Sequence, residues 1–164
     1  AEEGTLAIMV GGDAAVFEQA RPVLNPMGRP VRVGPSGCGQ LAKLANQGIV
    51  AVTIGAVAEA MLLMARGGAD MAGLRDALRG GFADSTILQL HGKRMAEKNF
   101  VPGGRSVFQL KDLDNLKEEA DRLGLTLPLS DVQRDRFHHL VHDMDGGDLD
   151  HSALFLELLE RNKG

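Results

Sequence analysis

The chain has no tryptophan and no tyrosine, and its six phenylalanines leave it only 4% aromatic. Proteins that hold single-stranded nucleic acid stack bases on aromatic platforms, so the composition argues against that class. An excess of positive charge is missing too. Eighteen Lys and Arg stand against 22 Asp and Glu, a formal net charge of −4, which is the wrong sign for a phosphate-backbone partner. Cysteine is reduced to Cys38, which excludes an internal disulfide and fits a reducing compartment. The acidic N-terminus lacks the basic-then-apolar order of a secretory leader, so the expected location is cytoplasmic. No repeat or low-complexity tract breaks the 164 residues, a length that allows one core and part of a second.

The glycine-rich segment Gly34-Pro-Ser-Gly37-Cys-Gly39-Gln40-Leu41 also lacks something. Its glycines have the frame of a phosphate-binding loop, but that loop needs Lys and then Ser or Thr after the last glycine. Gln40 and Leu41 stand there instead. An amide cannot replace the cation and leucine cannot ligate magnesium, so nucleotide hydrolysis is excluded. The glycines read as a tight entry into a helix.

From Gln40 to Arg66 there is no proline, and apolar residues surround the helical axis rather than marking one stripe. A helix apolar all round is buried or spans a membrane. Lys43, Asn46, Gln47, Thr53 and Glu59 interrupt this one, which predicts a central helix of a core or subunit interface and no membrane partner. Lys43 and Asn46 are three residues apart and share a face. The commoner meaning of such a pair is a solvated first turn. The alternative is a cation and an amide aimed at a carbonyl or carboxylate, where the lysine can give a proton to an incipient alkoxide.

The style of the chain changes near residue 36. Thr5–Val10 and Pro30–Val33 read as strands flanking a helix capped by Asp13, a β-α-β unit. Two strands do not make a stable sheet alone, so residues 1–35 read as the end of a larger α/β domain. Residues 36–164 read as helices only, with caps at Asp70, Ser85 or Asp84 and Asp150-His151-Ser152, helices opening at Ser106 and Pro128, and a loop over Asn99–Arg105. The expected fold is mainly α, arranged around one long central helix.

Three polar clusters remain. His138, His139 and His142 lack the neighbouring Glu and third ligand of a zinc peptidase. Asp143, Asp145, Asp148 and Asp150 lack the Gly and terminal Glu that a calcium loop requires. No metal site is therefore expected. Lys111-Asp112 is either an exposed charge pair or a second lysine for the site of Lys43.

Four segments in order carry a resemblance: Gly4-Thr-Leu-Ala-Ile-Met-Val-Gly-Gly12; Gly34-x-x-Gly37-x-Gly39-x-x-x-Lys43-x-x-Asn46; Lys111-Asp112-Leu113; and Asp148-x-Asp150-x-Ser152-Ala. Together the chain resembles the C-terminal portion of the β-hydroxyacid dehydrogenase family, which includes 3-hydroxyisobutyrate dehydrogenase and tartronate semialdehyde (2-hydroxy-3-oxopropionate) reductase. The resemblance implies a helical domain like the C-terminal domain of 6-phosphogluconate dehydrogenase, preceded by a remnant of a Rossmann domain. It implies an NAD- or NADP-dependent enzyme that transfers hydride to or from a small hydroxyacid or semialdehyde, as a homodimer or homotetramer. Lys43 would be catalytic, Asn46 and Gln47 substrate-binding, and Lys111 and Asp112 cofactor-binding. Gln47 stands where the family often has a second asparagine, and Gly104 where it often has phenylalanine. The family's dinucleotide fingerprint and Ser-Gly-Gly segment do not occur here, so this chain alone is expected to be inactive. The other reading is a non-catalytic all-α dimerisation module. A 6-phosphogluconate-dehydrogenase-like activity lacks its Arg/Lys cluster for a sugar phosphate.

Overall fold

A computed structural model describes residues 3–163. Ala1, Glu2 and Gly164 lie outside the described residues, and with them the first two positions of the expected leading α/β segment and of the leader reading. The chain is mainly helical, as expected. It divides into two compact units, Ala1–Asn46 and Gln47–Gly164.

The first unit is β-α-β. Strand β1 (Leu6–Gly11) pairs in parallel with β2 (Gly28–Gly34), from Leu6 opposite Gly28 to Gly11 opposite Gly34. Helix α1 (Ala14–Leu24) connects them. The Asp13 carboxylate starts it by accepting from the Ala15 and Val16 amides at 2.8 and 3.1 Å, which satisfies two of the four N–H groups a helix start leaves open. A 3₁₀ turn over Asn25–Met27 leads into β2. The strands leave Leu6, Val31 and Val33 exposed.

Helix α2 (Cys38–Arg66) begins two residues earlier than its sequence pattern suggests. Its opening glycines serve close packing. A Cβ on Gly39 would stand 2.8 Å from the Met9 carbonyl oxygen, and one on Gly11 would stand 2.8 Å from the Gly39 amide nitrogen. A helical Gly→Ala change normally gains about 1 kcal/mol. Here the overlap is with strand backbone, which cannot yield as a side-chain tip would, and overpacking of this kind costs about 1–3 kcal/mol. Gly39→Ala is therefore expected to destabilise the chain by about 1 kcal/mol net, and by about 2 kcal/mol at most. Urea unfolding checks this, and an unchanged or raised midpoint would refute the packing role.

At ~1.5 Å per residue, α2 is about 40 Å long. Ala51, Ile54, Ala58 and Met61 are fully buried in the second unit, at spacings that follow one helical face. By length and composition α2 could also cross a bilayer, with mean hydropathy 2.1 and 44% of that window buried. It ends at Gly67-Gly68, where Gly68 is left-handed (φ 74°) and the Ala69 amide donates to Met64 O.

Of the remaining helices of the second unit, the first two start on side-chain caps, whereas the last three have none among the described residues. Helix α3 (Met71–Leu78) starts on Asp70 and α4 (Thr86–Glu97) on Ser85, whose Oγ accepts from the Leu88 amide. Helix α5 spans Ser106–Arg122, α6 spans Pro128–His142, and a 3₁₀ turn over His151–Ala153 precedes α7 (Leu154–Arg161). Met61, Met95, Leu113, Phe137, Leu140 and Leu154 fill the core. Glu157, fully buried on α7, accepts from Arg136 Nε at 2.9 Å and from Arg161, which ties α6 to the terminal helix.

Candidate functional site

In the first unit an open cleft of about 670 Å³ is lined by β1 (Leu6 to Met9), by Gly11, Gly37 and Gly39, and by Gln40, Lys43 and Asn46. Its construction follows from the glycines. Because Gly39 and Gly11 have no side chains, α2 starts in contact with the C-terminal end of β1. Ligands of open α/β sheets collect at that end of the strands. Within the first turns of the helix, Lys43 supplies the cleft's cation, and Gln40 and Asn46 its amides. Lys43 is exposed and Asn46 half-buried. A cleft of 300–1,000 Å³ is the size at which small-molecule sites are found.

In the second unit the structure joins residues that lie far apart in the sequence. Gln47, buried, donates through Nε2 to Asp112 Oδ2 at 2.7 Å. Gln109, fully buried, donates to Gln47 O at 3.2 Å and accepts from Gln47 Nε2 at 3.4 Å. Asp112 therefore holds the Gln47 amide, while the mostly exposed Lys111 amine lies 3.8 Å from the other Asp112 oxygen. Lys111 is the cation a dinucleotide phosphate or carboxamide could use. Gln109 had no sequence signal beyond its position beside Lys111-Asp112.

The second unit holds a further polar cluster, around Asp150. Its carboxylate is 1% exposed. Oδ1 accepts from the Ser152 amide and hydroxyl at 3.0 and 2.6 Å, and Oδ2 accepts from the Gly103 and Gly104 amides at 2.9 and 3.3 Å. His91 Nδ1 and Arg94 Nη1 stand 3.3 and 3.4 Å from its oxygens. Burial raises the carboxyl's pKa, but the contacts from His91, Ser152 and Gly103 outweigh it and hold Asp150 well below the usual carboxylate range. The sequence marked Asp150 only as a cap; its hold on the loop at Gly103-Gly104 depends on folding. His151 bonds through Nε2 to Arg105 O at 3.0 Å. Burial, opposed by Asp150 and assisted by His91, lowers its pKa below the ordinary imidazole value.

His138 and His142 have rings 4.4 Å apart, and His139 turns toward Glu157. Among the described residues no group of three or more His, Cys, Asp or Glu side chains converges as a metal site.

Two family models match the chain. One, described as the NAD-binding domain of NADP-dependent 3-hydroxyisobutyrate dehydrogenase, covers residues 37–158. The other, the NAD-binding domain of 6-phosphogluconate dehydrogenase, covers residues 1–37. The chain is 45% identical to 2-hydroxy-3-oxopropionate reductase of Escherichia coli K12, over 99% of this chain and 56% of that protein. It is 33% identical to a probable 3-hydroxyisobutyrate dehydrogenase-like protein of Arabidopsis thaliana, over 99% of this chain and 48% of that one. The solved 3-hydroxyisobutyrate dehydrogenase of Mycobacterium tuberculosis with L-serine matches at TM-score 0.84 and 32% identity, over 95% of this chain and 56% of that chain. The chain thus spans about half the length of the curated relatives it matches.

Proposed function

We propose that this chain, which belongs to the β-hydroxyacid dehydrogenase family of NAD(P)-dependent oxidoreductases, supplies the proton-transferring part of a reductase for a small semialdehyde such as 2-hydroxy-3-oxopropionate. The observation that carries this reading is the cleft along β1, where one lysine and the Asn46 amide stand among glycines. Lys43 hydrogen-bonds the substrate carbonyl oxygen and gives it a proton as the alcohol forms, or takes that proton back in oxidation. Asn46 orients the same oxygen. Gln47, held by Asp112 and Gln109, binds the substrate carboxylate through its amide. Lys111 is the residue that would hold the cofactor, and Asp112 orders it. When bound, NAD(P)H supplies the hydride; the protein supplies orientation and charge. The 45% identity to a named 2-hydroxy-3-oxopropionate reductase supports that substrate class over a branched hydroxyacid.

We further propose a division of labour between residues 1–35, as the end of a Rossmann domain, and residues 36–164, as the substrate-binding and assembly domain. The exposed strand residues Val31 and Val33 are consistent with cover by further elements of such a domain. Exposed Ile49 and Leu63 on α2 fit a homodimer or homotetramer, and a cytoplasmic location is part of the same proposal. The test is NADH- and NADPH-dependent reduction of 2-hydroxy-3-oxopropionate by the chain alone and by the chain preceded by the N-terminal segment its relatives carry. Turnover is expected only from the longer protein. Robust turnover by the chain alone, or none by either, would sink the reading.

A further inference from the structure

We infer that Gln40 is a specificity-determining residue of this reaction, hydrogen-bonding a hydroxyl on the carbon next to the substrate's aldehyde. The inference rests on the reductase reading and names the feature of the substrate that the Lys43 cleft selects. Every residue it uses lies in the first unit. Strand β1 and the glycines give the cleft walls without polar side chains. Among the described residues that line it, Gln40, Lys43 and Asn46 alone carry polar side chains, and all three come from the first turns of α2. Residues three apart on a helix are neighbours, with Cβ atoms about 5–6 Å apart. Gln40 therefore stands beside Lys43 on the side of the glycine-rich entry, and Asn46 on the other side.

The ordinary reason for a glutamine here is local. As the third residue of α2, Gln40 could reach back to the amide of Gly37, the residue before the helix, as in a capping box. No such bond occurs among the described residues, and Gly37 has no hydroxyl to complete the box. Main-chain bonds hold the helix start instead, from Cys38 N to Pro35 O and from Leu41 N to Gly37 O, both at 3.1 Å. Gln40 is also exposed, so core packing does not select it. Its carboxamide is left for a ligand in the cleft.

The chemistry of the three side chains divides the substrate between them. Lys43 and Asn46 take the aldehyde oxygen, where the proton is transferred. In 2-hydroxy-3-oxopropionate the adjacent carbon bears a hydroxyl. A carboxamide offers both an N–H donor and a carbonyl acceptor, so it meets a hydroxyl in either sense. The apolar residues of β1 offer that hydroxyl no side-chain partner. 3-Oxopropionate has only hydrogen at the same carbon and leaves the carboxamide to water. Because Gln40 is exposed, the discrimination is that of one neutral hydrogen bond, not of a buried group left unpaired.

The experiment compares kcat/KM for 2-hydroxy-3-oxopropionate and 3-oxopropionate in the full-length protein with NAD(P)H. The wild type is expected to favour the hydroxylated substrate by about fivefold or more. Gln40→Leu, which keeps the helix propensity of the position, is expected to lower kcat/KM for that substrate about 5- to 10-fold, mainly through KM, and to leave 3-oxopropionate within about twofold. Gln40→Glu keeps the length and an acceptor for the hydroxyl. Its charge repels the carboxylate that both substrates carry, so KM should rise for both while their ratio stays near that of the wild type. Competitive inhibition by the two products, 2,3-dihydroxypropionate and 3-hydroxypropionate, reads the same preference without turnover. No preference in the wild type, equal losses on both substrates or an unchanged ratio in Gln40→Leu, or a ratio lost in Gln40→Glu as well, overturns the role of Gln40. If the wild-type protein reduces neither semialdehyde, the reductase reading itself falls, and the inference with it.

Discussion

Lys43→Ala in the full-length protein lowers kcat for semialdehyde reduction by about 10²- to 10⁴-fold, the usual contribution of a positioned general acid, and leaves assembly and melting temperature unchanged. The expectation follows from where Lys43 stands. It is exposed, it lines the cleft with Asn46 and the glycines of β1 and α2, and it is absent from the buried core. Losing it removes no packed surface, so stability has little to lose. Lys43→Arg separates charge from proton transfer. Guanidinium keeps the positive charge but cannot release a proton at accessible pH, so it should restore substrate affinity while kcat stays within about tenfold of the alanine variant. The alternative of a non-catalytic dimerisation module predicts the reverse order: assembly weakens first and turnover follows it. Size-exclusion chromatography beside steady-state kinetics decides between them. Turnover within tenfold of wild type for Lys43→Ala would remove the lysine from the mechanism.

The parts of this fold that were legible in the sequence are those whose cause is local. Asp13, Asp70 and Ser85 cap α1, α3 and α4 by reaching amides two or three residues ahead, so the signal and the bond lie in the same few residues. The long α2 was legible because no proline interrupts it and apolar residues surround it. Its first turn was missed because Cys38 and Gly39 are poor helix formers, and the close approach of β1 selects them instead. Pro22 sits inside α1 near its C-terminal end, where its missing N–H removes one helical bond, a cost that the sequence pattern does not show to be offset. The two 3₁₀ turns carry no period of their own.

The candidate site was legible in one half only. Lys43 and Asn46 share a helical face, which spacing alone gives. The Gln47–Asp112 bond joins residues 65 apart, and Asp150 reaches Gly103 across 47. No local pattern encodes a pairing at that distance. The sequence offered Asp112 as half of a charge pair and Asp150 as half of a cap. Folding gives each a second partner from a distant stretch of the chain.

Asp150 therefore carries the other large effect. Asp150→Asn is expected to destabilise the chain by about 3 kcal/mol at pH 7, because it removes a buried charge from bonded partners. The carboxylate uses both oxygens as acceptors, one for Ser152 and one for the Gly103 and Gly104 amides. An asparagine must turn its NH₂ toward one of these sets of donors, and it leaves His91 and Arg94 without their anion. The pH dependence has a definite sign. The folded-state pKa of Asp150 lies far below its ordinary value of 3.8, so the wild-type advantage is fully present above that value. It declines as pH falls toward the folded-state pKa, by about 1.4 kcal/mol for each pH unit. Urea unfolding of both proteins from pH 7 to pH 3 should show a constant gap down to about pH 4.5 and a narrowing one below it. Hydrogen exchange supplies the local readout, since the Gly103 and Gly104 amides lose their acceptor and should exchange faster in the variant while the α2 core does not. A gap of the same size at pH 3 as at pH 7 would mean that Asp150 acts through shape rather than charge, and unchanged exchange at Gly103 and Gly104 would remove its hold on the loop.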